Sequence, residues 1–409
     1  MQPHIWIVNQ FANTPEFPGH TRQYELGKFL SGQEFTVSIF ASDYNLAQRC
    51  FRKLKPAQLW LQEERENIAL NWLYAIPYQR NNWRRYLNML SFTMTFCLRG
   101  LFYPKPDLVI GSSPQLMVAF AAWLIARLKG AKFYFEVRDV WPQALVELSG
   151  KSPDSFLIKL LAAVEIWLYR HSDRVIVLSQ GCLSYVKEKG AKEVVWLPNG
   201  PELDTFRSGF SVEAAKQHFR VDPERFSLLY GGAHGKANAL ETVVKACQIL
   251  EQKAPDKFQI LLVGDGPEKA SLMHLAKGLK CLEFRDPIPK KEMPDLLKSV
   301  DAGLLTLEDI PLFKYGVSPN KLYDYYAARK PVVVAVGGLV NAEVEHYTLG
   351  TIANPEQPQE LAQAILTLRE LPETERLAMG DRAYQLAQDV YSRSRVSEKL
   401  LALVKQDLG

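Results

Sequence analysis

Cysteine is scarce in this 409-residue sequence, and no two cysteines stand in CxxC spacing. Cys50, Cys97, Cys182, Cys247 and Cys281 are scattered and odd in number. This argues against a disulfide framework or a zinc site and fits a reducing cytoplasm. Seven histidines show no HxxxH or other ligand spacing, so no structural metal and no cofactor is expected. No apolar run reaches the ~20 residues of a membrane span. Short repeats and low-complexity tracts are absent. A signal-peptide pattern is missing too, because Met1 to Pro3 run directly into His4-Ile5-Trp6-Ile7-Val8-Asn9, which reads as a first strand. The net charge of +4 is too small to mark a nucleic-acid partner. Its distribution is uneven, with net +7 over residues 1–200 and −3 over the remainder. The first half therefore favours an anionic partner.

What is present is an ordinary globular composition, 47% hydrophobic and 23% charged. The length is too great for one core and predicts two domains of roughly two hundred residues each. Strand patterns fall at 4–9, 35–42, 68–76, 107–113, 132–139, 174–179 and 193–199. Helix patterns lie between them, for example at 21–31, 114–129 and 155–171. Residues 198–210 are rich in turn formers without periodicity and read as a linker. The alternation restarts with strand 226–231, helix 241–253, strand 258–263 and helix 268–279. Strands 302–307 and 331–336 flank a further helix, and helical patterns dominate from 358 onward. This rhythm predicts α/β domains, each a parallel sheet covered by helices. Ligands of such sheets bind beyond the carboxyl ends of the strands.

The segment Ser318-Pro319-Asn320-Lys321-Leu322-Tyr323-Asp324-Tyr325-Tyr326-Ala327-Ala328-Arg329-Lys330-Pro331 is the most informative in the chain. Pro319 can open a helix but not continue one, and Pro331 begins a β-branched run that reads as a buried strand. The N-terminus of a helix suits a phosphate, and an acid one turn on, Asp324, suits the paired hydroxyls of a ribose. About fifty residues upstream, Phe258-Gln259-Ile260-Leu261-Leu262-Val263 is an apolar strand that ends in Gly264-Asp265-Gly266-Pro267-Glu268.

The two motifs in this order and at this separation resemble the C-terminal half of the GT-B glycosyltransferases, in particular the large retaining family numbered four. That family carries strand-GDGPE and then PxKLxEYxAxGKPV, with Asp324 here in place of the Glu and Arg329 in place of the Gly. The resemblance covers nearly the whole chain. It implies two Rossmann-like domains facing a cleft: 1–200 for the acceptor, 201–390 for the nucleotide sugar, and 391–409 as a helix returning to the first domain. Donor-binding residues are then expected at Gly232, Gly264, Asp265, Ser318, Asn320, Lys321 and Asp324.

Gly19-His20-Thr21-Arg22 follows the first strand and opens the first helix. Gly19 and His20 read either as a loop that lets backbone approach a donor phosphate or as a plain strand-to-helix turn; the family has two glycines at that point. Phe135-Glu136-Val137-Arg138-Asp139-Val140-Trp141-Pro142 nearly matches the EVRDLWP of a bacterial polysaccharide subgroup. That likeness puts Arg138 and Asp139 beside the donor sugar and phosphates, with Asp139 orienting Arg138. The alternative is a buried Arg–Asp pair that fixes the loop. Tyr230-Gly231-Gly232-Ala233-His234-Gly235-Lys236 opens the second half. There the family offers an Arg and a Lys to the leaving diphosphate, and here Lys236 alone is basic, one residue out of register. His234 reads as a surface or hydrogen-bonded histidine.

Many members also have two acids spaced E-x7-E, yet Gly316 stands eight residues before Asp324. Ser318 and backbone amides are then expected to serve the sugar. Residues 81–99 put an apolar, aromatic stretch behind Trp83-Arg84-Arg85. It reads either as a membrane-interface helix with its arginines on anionic headgroups or as a core helix.

The resulting expectation is a cytoplasmic, metal-independent retaining transferase, peripheral on the inner face of the plasma membrane. Its donor would be a UDP-linked hexose or N-acetylhexosamine. Its acceptor would be a glycan or a lipid-linked sugar. Arg138, Asp139 and Lys236 would be catalytic. A GT-B epimerase and a non-catalytic sugar-nucleotide-binding subunit are the competing readings.

Overall fold

A computed structural model describes all residues except 1, 18–20, 46–47, 80–82, 151, 208 and 315. The chain divides into two units. One consists of Met1–Leu197 with Ser397–Gly409, the other of Pro198–Val396.

The first unit runs β1 (His4–Val8), α1 (Arg22–Ser31), β2 (Thr36–Ser42), β3 (Tyr44–Asn45), β4 (Cys50–Phe51), β5 (Trp60–Arg65), β6 (Ile68–Leu73), α2 (Trp83–Phe102), β7 (Leu108–Ser112), α3 (Leu116–Leu128), β8 (Lys132–Val137), α4 (Gln143–Ser149), α5 (Phe156–His171), β9 (Arg174–Val177), α6 (Cys182–Glu188) and β10 (Val194–Trp196). Its main sheet has the order β10-β9-β8-β7-β1-β2-β6-β5. Ile5, Val8, Val109 and Phe133 are fully buried within it, as expected of strands covered on both faces. The order reverses between β1 and β7, so the loops after β1, β7 and β8 converge beside that switch point.

The sequence reading found the central strands and missed the edge. Strand β5 pairs antiparallel with β6. Its Gln62-Glu63-Glu64-Arg65 has no apolar signal because an edge strand keeps a solvated, charged face. Glu66 and Asn67 make the tight turn into β6 with φ of 48° and 61°, the left-handed geometry of a two-residue hairpin loop.

The second unit runs α7 (Val212–His218), β11 (Phe226–Gly231), α8 (Leu240–Lys253), β12 (Phe258–Val263), α9 (Lys269–Leu275), β13 (Leu282–Arg285), α10 (Met293–Ser299), β14 (Ala302–Thr306), α11 (Pro311–Lys314), α12 (Asn320–Ala327), β15 (Val332–Ala335), α13 (Gly338–His346), β16 (Gly350–Ile352), α14 (Pro358–Glu370), α15 (Glu373–Leu386) and α16 (Arg393–Leu408), the last after a π-helical turn at Ala387–Tyr391. The sheet order is β13-β12-β11-β14-β15-β16, every pair parallel. Its switch point lies between β11 and β14. Val243, Cys247 and Leu250 of α8 form the expected apolar stripe and join Leu228, Ile260 and Ile365 in one core cluster.

Helix α12 is placed by a close packing contact. A Cβ on Gly303 would stand 2.3 Å from the Tyr325 ring, so only glycine in β14 lets that ring lie flat on the strand. The Tyr325 hydroxyl then donates to the Leu304 carbonyl at 3.0 Å. The helix ends where Arg329 takes φ of 55°, a left-handed conformation that favours glycine. Arg329 compensates by resting over the Tyr384 ring, 4.2 Å from its centroid, and by pairing with Asp381.

Helix α16 ends within the first unit. Asp407 accepts from Arg174 Nε and Nη2 at 2.7 and 2.9 Å, and Tyr134 donates its hydroxyl to the same carboxylate at 2.5 Å. The bond to Arg174 holds the Asp407 carboxyl down at about 2.

Candidate functional site

Three loops meet at the carboxyl ends of β12, β11 and β14, next to the switch point of the second unit. Gly232 follows β11 and Gly264 follows β12. A Cβ on Gly264 would come within 1.8 Å of the Gly232 carbonyl oxygen, so these turns touch through bare backbone. Hydrogen bonds lock them together: His234 N–H donates to Asp265 O at 2.8 Å, and Glu268 N–H to His234 O at 3.0 Å. Asp265 Oδ1 accepts from the Gly266 N–H at 2.8 Å and so holds its own turn.

The start of α12 faces this pair of turns. Lys321 is the second residue of the helix. Its Nζ donates to the Tyr230 hydroxyl at 2.8 Å and to Asn238 Oδ1 at 3.0 Å, and it lies 4.1 Å from the centroid of the Tyr230 ring. Burial drives the Lys321 amine down to about 7. Asn320 is exposed and Asp324 half-buried on the following turn. Ser318, expected to serve a sugar, has its hydroxyl occupied. It accepts from the Asn199 N–H at 3.0 Å and lies 3.1 Å from the Tyr323 hydroxyl. Ser318 therefore fastens the 198–200 turn to α12.

Lys236, expected at the leaving diphosphate, has its side chain mostly in solvent, with Nζ 3.9 Å from a Glu308 carboxylate oxygen. The reason is register, since Lys236 starts a short 3-10 turn on the outside of the loop. His234 is neither on the surface nor hydrogen-bonded. Its side chain is fully buried, and neither ring nitrogen has a partner. Nothing in a lone histidine of a glycine-rich loop predicts this, because the burial comes from the 264–268 turn folding over it.

A cavity of about 460 Å³ opens beyond the carboxyl ends of β14 and β15. Glu308, Phe313, Val336, Gly337 and Asn354 are among its lining residues. It lies on the α11–α13 side of the sheet.

The first unit has a polar cluster at its own switch point. Glu136 at the end of β8 is buried. It accepts from Arg22 Nε at 2.9 Å, Gln23 Nε2 at 3.0 Å and Ser112 Oγ at 2.8 Å. Burial pushes this carboxyl up, but the charges of Arg22 and Arg138 outweigh it and hold the group ionised. Arg22 Nη2 also donates to the Leu197 carbonyl at 2.9 Å.

The half-buried Arg138 extends to Gln23 Oε1 at 3.2 Å, and the Ser113 hydroxyl accepts its backbone N–H at 2.8 Å. Asp139 is exposed as a residue, and burial of its carboxyl pushes it up while the Arg138 charge opposes this. Gln23 holds the Arg138 guanidinium, and Glu136 first, then Asp139, supply the nearby negative charge. The Arg22–Glu136 pair, 114 residues apart, left no local signal. Gly19 and His20 lie outside the described residues.

Helix α2 is apolar on two faces. Phe92, Phe96 and Gly100 enter the core. Trp83, Tyr86, Leu90, Met94, Leu98 and Phe102 form an exposed stripe at three- and four-residue spacing. Leu124 and Leu128 of α3, which packs on α2, are exposed as well. Among the described residues no helix is long and apolar enough to cross a membrane.

Residues 19–200 match the glycosyl transferase 4-like domain, and residues 225–370 match glycosyl transferases group 1. WcaI of Escherichia coli K12, which carries the name of a colanic acid biosynthesis glycosyl transferase, is 28% identical over 304 residues, 71% of each chain. Among solved structures, sucrose-phosphate synthase from Thermosynechococcus elongatus aligns with a TM-score of 0.77 at 15% identity, covering 99% of this chain and 98% of the other. Anabaena HepE in complex with UDP and glucose aligns with a TM-score of 0.70 at 15% identity, covering 98% and 99%. These likenesses establish the two-domain α/β architecture.

Proposed function

We propose that this chain, whose matches support a glycosyltransferase of GT-B architecture, moves a sugar from a nucleotide-sugar donor, UDP-linked, to a glycan or lipid-linked acceptor. The observation that carries the proposal is the convergence, in the second unit, of two touching glycine turns and the start of α12. Free N–H groups at a helix start favour phosphate, and Lys321 adds a basic amine within the same cluster. Asp324, one turn further on, suits a ribose through charge-assisted hydrogen bonds. The HepE structures in complex with UDP and glucose and with UDP-glucose support a uridine nucleotide.

Transfer would proceed with retention and without a metal, the departing diphosphate being stabilised by backbone amides and basic side chains. Gly232, Gly264, Asp265, Asn320 and Lys321 would surround the donor. Arg138 and Asp139 of the first unit would act at the sugar and phosphates, and Lys236 would supply outer positive charge.

The acceptor reading includes a membrane surface. The stripe on α2 supports it, since a helix of about 30 Å with exposed aromatic and aliphatic residues and Arg84 and Arg85 at its start suits an anionic leaflet. The protein would then work at the inner face of the plasma membrane.

Incubation with labelled UDP-sugars in the presence of EDTA is the test. Transfer or slow hydrolysis is expected. An isomerised sugar nucleotide would point to an epimerase, and binding without turnover to a non-catalytic subunit. Asp324→Ala should weaken UDP binding by about ten- to hundredfold, the loss of a hydrogen bond to a charged group. Unchanged affinity by calorimetry would remove Asp324 from the ribose.

A further inference from the structure

In the second unit, two basic side chains reach the same pair of glycine turns, and neither has an acidic partner. His234 is fully buried with both ring nitrogens unpaired. Leaving such a group unsatisfied is costly, and buried polar groups without partners are rare. Lys321 is held only by neutral acceptors, the Tyr230 hydroxyl and Asn238 Oδ1. Both basic groups border the turns: a Cβ on Gly232 would stand 3.2 Å from Lys321 Nζ, and a Cβ on Gly264 would stand 3.3 Å from His234 Nε2. The two nitrogens thus flank the bare backbone that joins the loops after β11 and β12.

We propose that Lys321 and His234 form an anion seat that acquires its charge together with its ligand: as the donor diphosphate binds, Lys321 takes up a proton from solvent and His234 donates its ring N–H to a phosphate oxygen. This deepens the nucleotide-sugar reading and rests on it.

The surroundings fit this role. Burial keeps the free Lys321 amine near 7. Burial, followed by the charges of Lys269 and Lys321, holds His234 below its ordinary value, with Asp265 opposing. The groups facing the pair are the Tyr230 phenol from β11, which burial keeps neutral, and Asp265 and Lys269 from the loop and helix after β12; Asp324 is three residues further along α12. A diphosphate beside Lys321 favours the ammonium form. Below about pH 7 the amine is already charged, so binding takes up no proton there. Above it, each pH unit should weaken binding about tenfold until the pKa of the bound form is reached.

Calorimetry tests this on the wild-type protein. UDP is titrated at pH 8.5 in buffers of different ionisation enthalpy, with GDP, dTDP and CDP in parallel. The terminal phosphate, with its second pKa near 6, is then fully ionised. Binding should take up close to one proton per nucleotide. Lys321→Met should abolish the uptake and weaken binding at pH 7 by about tenfold or more. His234→Phe should keep the uptake and lose about three- to thirtyfold in affinity. If a nucleotide binds wild type with no proton uptake, this inference falls and the nucleotide reading stands. If none of the four binds, both fall.

Discussion

The Tyr325 ring lies against Gly303, close enough that a Cβ on Gly303 would stand 2.3 Å from it. This contact sets how near α12 comes to β14, and so where the start of α12 meets the glycine turns. Gly303→Ala should cost about 1–3 kcal/mol by overpacking and weaken UDP binding as α12 is displaced. Denaturant titration and calorimetry check both. A variant of wild-type stability would mean that the helix moves freely and that this contact does not position the site.

Arg138 donates to Gln23 Oε1 at 3.2 Å. Glu136 retains Arg22, Gln23 and Ser112 when Arg138 is removed. Arg138→Ala should therefore shift the melting temperature by only a few degrees, about 1 kcal/mol or less, while turnover falls about a hundredfold if Arg138 meets the donor phosphates. A variant that unfolds, with normal specific activity in its folded fraction, would make Arg138 structural.

Asp407 anchors the end of α16 to Arg174 and Tyr134. Its folded pKa of about 2 lies below the ordinary 3.8. The pair therefore contributes its full stability above about pH 4, and that contribution is lost as the pH falls through 2. Asp407→Asn should lower stability at pH 7 by about 1 kcal/mol after solvent screening and flatten the acid side of the stability profile between pH 4 and 2. An unchanged acid limb in the variant would assign acid unfolding to other carboxylates.

Met94 and Leu98 lie on the exposed face of α2, so replacing both with Glu should leave the fold intact. Wild type should sediment with anionic vesicles and be released by salt. Met94→Glu with Leu98→Glu should abolish sedimentation without changing UDP affinity. Equal sedimentation of the two proteins, or none by either, would leave the stripe without a membrane role.

The architecture and the order of the glycine-bounded loops are legible in local sequence. Apolar runs such as Phe258–Val263 bounded by glycine can only be buried strands with a turn at the carboxyl end, and Pro319 and Pro331 bracket a helix too short for anything but a local role. These are short-range signals, written in consecutive residues. Tertiary structure alone decided which side chains meet. Strand β5 was illegible because an edge strand needs no apolar face. Arg138 finds a hydrogen-bond partner in Gln23, 115 residues away, which no local pattern announces. Lys236 and Lys321 were both visible as cations, yet the register of a 3-10 turn puts the first in solvent and the helix start draws the second inside. His234 is the clearest case. Its neighbours in sequence are glycine and alanine, and its isolation from water and from partners exists only because two turns from different strands close over it.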